Sequence, residues 1–200
     1  METFFASAER ASAERLRQEV QFVTGHPLIT SLMSVISGLL TVLNEHRQVL
    51  AINDGLLSLL GIEDPGPALG LRPGEALNCI HAHDPPAGCG TTELCSSCGA
   101  AIAMVTSLAT DRPVERTCAM TVVRDGRNID LLLRVRSCPI VLEDRHLLLL
   151  FMEDISRQQQ WAAIERVFFH DLSNIVSSLA ATSELLIDES ATRRTKVAQE

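Results

Sequence analysis

The chain has 200 residues, 46% of them hydrophobic, which is enough to bury a substantial core in one domain with an extension or in two small domains. A formal net charge of -8 and the lack of any Lys and Arg run leave no electrostatic footprint for a phosphate backbone, so no nucleic-acid partner is expected. Behind Met1-Glu2-Thr3-Phe4-Phe5 comes a segment of mixed charge rather than the basic-then-apolar layout of a secretory signal, and a cytoplasmic protein is expected.

From Ser7 to Val23 the pattern is helical, with Leu16, Val20 and Val23 on one face. Gly25-His26-Pro27 interrupts it, and Pro27 is suited to the first position of a second helix whose Leu28, Leu32, Val35 and Ile36 form a stripe. Residues 1–38 are read as an N-terminal helical segment that either pairs with its copy in a homodimer or covers its own domain. Gln21 to Asn44 lacks Asp, Glu, Lys and Arg, yet Pro27 breaks it and Leu28 to Leu43 falls short of the roughly 20 residues that span a bilayer, so a buried helix and strand are preferred.

Thr41 to Asn53 reads as a hairpin around Asn44-Glu45-His46-Arg47, followed by a short helix capped by Asn53 or Asp54 and ended by Asp64-Pro65-Gly66-Pro67. Residues 71–99 are loop-rich and carry clustered cysteines, and Ala100 to Ala109 looks helical. Cys118, Met120 and Val122 then alternate with polar or small residues, Arg124-Asp125-Gly126-Arg127 offers a turn, and Ile129, Leu131, Leu133 and Val135 alternate again. With Leu147 to Met152 behind the Glu143-Asp144-Arg145 turn, the fold class is α+β: a five-stranded antiparallel sheet with short helices, flanked by an N-terminal helix and a long C-terminal bundle helix.

Two strands, several short helices and three long strands resemble the PAS fold. Asn44-Glu45-His46-Arg47-Gln48-Val49-Leu50-Ala51-Ile52-Asn53 looks like its opening hairpin, and Glu153-Asp154-Ile155-Ser156 resembles its closing motif. The resemblance implies a sensor or interaction module over 39–155, with residues 156–200 as a separate signalling segment.

Beyond Ile155 the chain is helical in pattern to about Ile187. Trp161, Phe168, Ile175 and Thr182 recur every seventh residue, as do Leu172, Leu179 and Leu186, which makes a coiled-coil or bundle seam. At 100° per residue His170 falls opposite that seam and is expected to face solvent. Phe168-Phe169-His170-Asp171-Leu172-Ser173-Asn174 resembles the phospho-acceptor box of two-component histidine kinases, although Ile175 stands where many such boxes have Pro. The resemblance implies autophosphorylation of His170, assisted by Asp171 as base, with Asn174 one helical turn away to orient a water for dephosphorylation. It also implies a response-regulator receiver domain as partner and ATP bound by a C-terminal domain whose signature is absent from these 200 residues, so the chain alone is expected to be inactive.

Six cysteines without an export signal point to metal or packing rather than disulfides. Cys79, Cys89, Cys95 and Cys98 give C-x9-C-x5-C-x2-C in a polar loop, with Gly90 and Gly99 behind two of them, and four such thiolates can surround one tetrahedral ion. His81 and His83 are reserve ligands, while Cys118 and Cys138, in strand segments, are read as small core residues. Residues 72–99 look like a cysteine-containing subset of PAS histidine kinases. Zinc is preferred because a glycine-flanked knuckle suits a structural site, and an iron-sulfur cluster is the alternative. Two other functional classes compete: a metal-stabilised PAS scaffold without phosphotransfer, and a small electron-transfer protein, which would leave the long helix without a purpose.

Overall fold

The computed structural model describes residues 2–159 and, beyond them, 161, 164–166, 168–170 and 172–174. Two compact units divide the chain, Met1–Ile155 and Ser156–Glu200. The first contains helices α1 (Ala13–Gly25) and α2 (Pro27–Val35), strands β1 (Leu39–Leu43) and β2 (Val49–Ile52), helices α3 (Asp54–Leu60), α4 (Pro73–Ala76) and α5 (Gly99–Thr110), and strands β3 (Val114–Arg124), β4 (Arg127–Leu142) and β5 (Arg145–Asp154). All five strands form one antiparallel sheet in the order β2-β1-β5-β4-β3, the α+β class expected from the sequence.

The two long hairpins follow from their turns. Asp125 (φ 49°) with Gly126 (φ 71°), and Glu143 (φ 46°) with Asp144 (φ 61°), sit in the left-handed region, which matches the right-handed twist of paired strands. Strand alternation then sorts side chains between the two faces of the sheet. On one face Leu43, Cys118, Val122, Leu133, Val135, Leu150 and Met152 pack with Leu56 and Met104 from the short helices. On the other, Val42, Leu50 and Leu147 meet Val23 of α1 and Ile29 of α2.

Helix α1 buries the face expected for it, with Leu16, Val20 and Val23 against the sheet. Helix α2 does not. Leu28 and Val35 are exposed, and Ile29 with Met33 supplies the contact. Its apolar residues fill two adjacent stripes, so periodicity alone cannot choose between them. At the entry turn His26 accepts the Leu28 N–H on Nδ1 and caps the helix, and the sheet residues Val42, Leu50 and Leu147 take the Ile29 stripe. Among the described residues no helix is long and apolar enough to cross a membrane.

Asn53 joins the elements that frame the core. Its Oδ1 accepts from the N–H groups of Leu40 (3.0 Å) and Leu56 (3.1 Å), while its Nδ2 donates to Ile36 O (3.2 Å) and Gly38 O (2.8 Å). Replacing it by alanine leaves buried donors and acceptors unpaired and removes the α3 cap. Asn53→Ala is expected to cost about 3 kcal/mol, read as a lowered urea midpoint at unchanged slope, and a loss below about 1 kcal/mol contradicts this assignment.

Candidate functional site

Residues 72–99 have little regular structure, and their placement is achieved by two attachments. Asn78, in the left-handed region at φ 55°, lets the chain turn onto the free edge of β3, where Ile80 N donates to Thr121 O (3.0 Å) and Val123 N to Asn78 O (2.9 Å). Cys79 thereby faces Val122 across a single bridge. At the other end Cys98 is the N-cap of α5, and that helix lies so close to β3 that a Cβ on Gly99 would stand 2.0 Å from Thr117 O. Between them Cys95 sits in a single 3-10 turn, Leu94–Ser96.

The result brings the four sequence-identified cysteines to one cavity of about 350 Å³, together with His81 and Cys118. Its inner wall is apolar and includes Met104, Met120, Leu133 and Met152. His83, by contrast, is exposed and lines a separate depression beside Arg10 and Glu75. Among the described residues no three His, Cys, Asp or Glu side chains converge closely enough to share one ion. The sulfurs stand around a cavity rather than at a point.

Each of the four sulfurs receives backbone N–H donors, the arrangement that favours thiolate over thiol. Gly90 N and Thr92 Oγ1 each donate to Cys95 Sγ at 3.2 Å. Cys89 receives the Gly74 N–H, Cys79 that of His81, and Cys98 those of Ala101 and Ala100 at the start of α5. Burial opposes this, pushing the Cys79 thiol up and the Cys89 thiol up to about 12. Cys98 goes the other way, held below the usual thiol range first by a hydrogen bond from Cys118 and then by the helix N–H groups. The two sulfurs are 3.6 Å apart, and the same contact with burial raises Cys118.

Cys118 is fully buried, as expected of a core residue, but it also belongs to the cavity wall. No sequence signal distinguishes those roles, because the cavity lies inside the sheet's packed face. Gly74 is likewise functional in placement: a Cβ there would lie 2.7 Å from Cys89 Sγ. Only the absence of a side chain lets its N–H reach the sulfur.

The second unit carries the histidine. Its described residues between 156 and 174 are helical, and His170 and Asn174 are both exposed. One turn brings them together: Asn174 Nδ2 and His170 Nδ1 are 3.3 Å apart. Trp161, Ile164, Phe168 and Leu172 are also exposed within this unit. Asp171 and the seam positions Ile175, Leu179, Thr182 and Leu186 lie outside the described residues.

Solved structures similar to this chain are PAS domains. The PAS domain of an HTR-like protein from Haloarcula marismortui is 17% identical, with 71% of this chain and 99% of that one covered at a TM-score of 0.43. The PAS domain of nitrogen regulation protein NR(II) from Vibrio parahaemolyticus is also 17% identical, with coverages of 65% and 100% and a TM-score of 0.45. That of the fruit-fly ELK potassium channel is 15% identical, with coverages of 64% and 95% and a TM-score of 0.42. No family model and no curated protein matches the chain.

Gly74→Ala tests the local geometry directly. The added methyl must displace Cys89, so the variant is expected to lose about 2 kcal/mol of stability. Cys89 should also react faster with a thiol reagent, followed by peptide mapping, whereas unchanged labelling would refute the close approach.

Proposed function

We propose that this chain is the sensory and phospho-acceptor portion of a two-component sensor histidine kinase, in which the state of a cysteine-bound metal controls phosphorylation of His170. The observation that carries the phosphotransfer reading is the exposed imidazole with the Asn174 amide 3.3 Å from its Nδ1. With the amide turned so that Oδ1 accepts the Nδ1 proton, the lone pair resides on Nε2, the nucleophile. Nε2 can then attack the γ-phosphorus of ATP presented by an ATP-binding domain, the bond to the β–γ bridging oxygen breaks and ADP leaves, and Asp171, the next residue in sequence, takes the Nδ1 proton as base. The same amide can afterwards hold a water for dephosphorylation. Apolar Trp161, Phe168 and Leu172 supply a face for pairing with a second copy, making the working form a homodimer that hands phosphate to a receiver domain.

The metal reading is supported by the donor set: four cysteines line one cavity, and each sulfur receives an amide N–H that would help stabilise a bound thiolate. Cys79, Cys89, Cys95 and Cys98 would hold zinc, with His81 in reserve, and the ion would fasten a loop that lacks a core of its own. An iron-sulfur cluster is the second reading. The same four cysteines, all on one cavity, would supply its ligands.

Supplied with an ATP-binding kinase domain and labelled ATP, the chain is expected to gain acid-labile phosphate that His170→Gln abolishes. Persistence of label in that variant would leave the scaffold reading in place. Asn174→Ala should keep labelling and slow dephosphorylation on the order of tenfold, the worth of about one hydrogen bond. For the metal, one zinc per chain and a colourless protein support the first reading, and a brown anaerobic protein supports the second. Chelation is expected to lower the unfolding midpoint by at least about 5 °C, and an unchanged midpoint would remove the structural role.

A further inference from the structure

Cys118 stands outside the four-cysteine pattern, yet its Sγ lies 3.6 Å from that of Cys98. The two sulfurs are carried on regular elements rather than on the irregular loop: Cys98 is the N-cap of α5, and Cys118 lies within β3. Backbone contact fixes their spacing. A Cβ on Gly99, the first residue of α5, would be 2.0 Å from Thr117 O and 3.1 Å from Cys118 N, so the residue before Gly99 and the residue after Thr117 are held side by side. A disulfide needs its sulfurs about 2 Å apart. Rotation of two side chains with a small shift of the N-cap closes the remaining gap.

The pair is asymmetric. Cys118 is fully buried, whereas Cys98 is half-buried on a cavity whose lining also includes the exposed Ile80, Leu94 and Asp130. Those three mark its opening to solvent, so a small polar oxidant entering there meets Cys98 first. The N–H groups of Ala100 and Ala101 at the start of α5 are directed at the Cys98 sulfur and favour negative charge on it. Cys118 waits behind it as the second thiol.

We propose that Cys98 and Cys118 form a peroxide-responsive dithiol, with Cys98 as the sulfur that is oxidised and Cys118 as the one that resolves it. The Cys98 thiolate attacks one oxygen of hydrogen peroxide; an S–O bond forms, the O–O bond breaks, and the departing hydroxide is protonated to water. The Cys118 sulfur then attacks the sulfenic sulfur of Cys98. An S–S bond forms, the S–O bond breaks, and hydroxide leaves as water with the Cys118 proton. Two thiols thus lose two electrons and two protons, and one peroxide becomes two waters. A dithiol reductant reverses the bridge by exchange and is itself left as a disulfide. The bridge ties the start of α5 to β3, closes a loop of about 20 residues, and withdraws Cys98 from the cysteines that face the cavity. It requires two sulfurs and no ion, so it stands apart from the metal reading above.

The full chain, as purified and after chelation, is treated with hydrogen peroxide, its remaining thiols are alkylated, and its peptides are mapped without reduction. A Cys98–Cys118 cross-link that dithiothreitol reverses is the expected result in at least one of the two samples. Its absence from both overturns the proposal, as does a bridge from Cys98 to Cys79, Cys89 or Cys95 in its place. Cys118→Ala should leave Cys98 as a sulfenic acid that dimedone traps, at least about tenfold more than in the unaltered chain, and equal trapping in the two would overturn the resolving role. Cys138→Ser, in β4 and not on the cavity, is the control and should bridge as the unaltered chain does. The bridged chain is expected to melt at least about 3 °C higher than the reduced one, and a lowered midpoint would show that the bridge forms only in a distorted fold and overturn the assignment.

Discussion

The guanidinium of Arg72 is the hub on which the irregular half of this domain depends. Segments 7–9 and 87–89 are far apart in sequence and contribute few large apolar side chains, so hydrophobic burial cannot hold them together. Four of their carbonyls instead converge on one planar cation whose donors fan out in a fixed fork. Lysine could not replace it, because a compact ammonium with three donors cannot reach four acceptors spread around a plane. The backbone N–H of the same residue is bonded to Glu75, whose other oxygen pairs with Arg10, so α4 and the arm share a single polar network. Within this network the Arg72 Nε is the one guanidinium nitrogen of that residue left buried without a partner.

The regular elements were legible in the sequence because their information is local. Alternation through Cys118, Met120 and Val122 and the paired left-handed turn residues specify the β3–β4 hairpin without reference to the rest of the chain. The stripe of α2 was not, since two apolar faces compete and the sheet that chooses between them is assembled from β1, β2 and β5. At the site the same division holds. Four cysteines in a polar, Gly-rich loop are conspicuous, and they do reach one cavity. Cys118, Gly74, Arg47 and Arg72 are not conspicuous, since each acts on a partner fixed only by the tertiary fold, such as Cys98 for Cys118 and Cys89 for Gly74.

The position of the cavity within the sheet bears on how a change there could travel. Met152 lines it and lies on β5, a central strand bonded to β1 on one side and β4 on the other. Three residues later Ile155 is buried, with its N–H on Leu132 O at 2.9 Å, and the second unit begins at Ser156. A strand held on both edges resists bending but can shift in register or twist as a body with its neighbours. Packed interiors deform between discrete arrangements rather than continuously, and Met152 belongs to such a packed core.

The same constraint distinguishes the two sides of the site. The arm of residues 4–9 is tied by backbone hydrogen bonds to Gly90 and Thr91 and by the guanidinium groups of Arg47 and Arg72 on its carbonyls. The β5 route passes through a core that includes Leu133, Val135, Leu148 and Leu150, and any shift there must move several packed side chains at once.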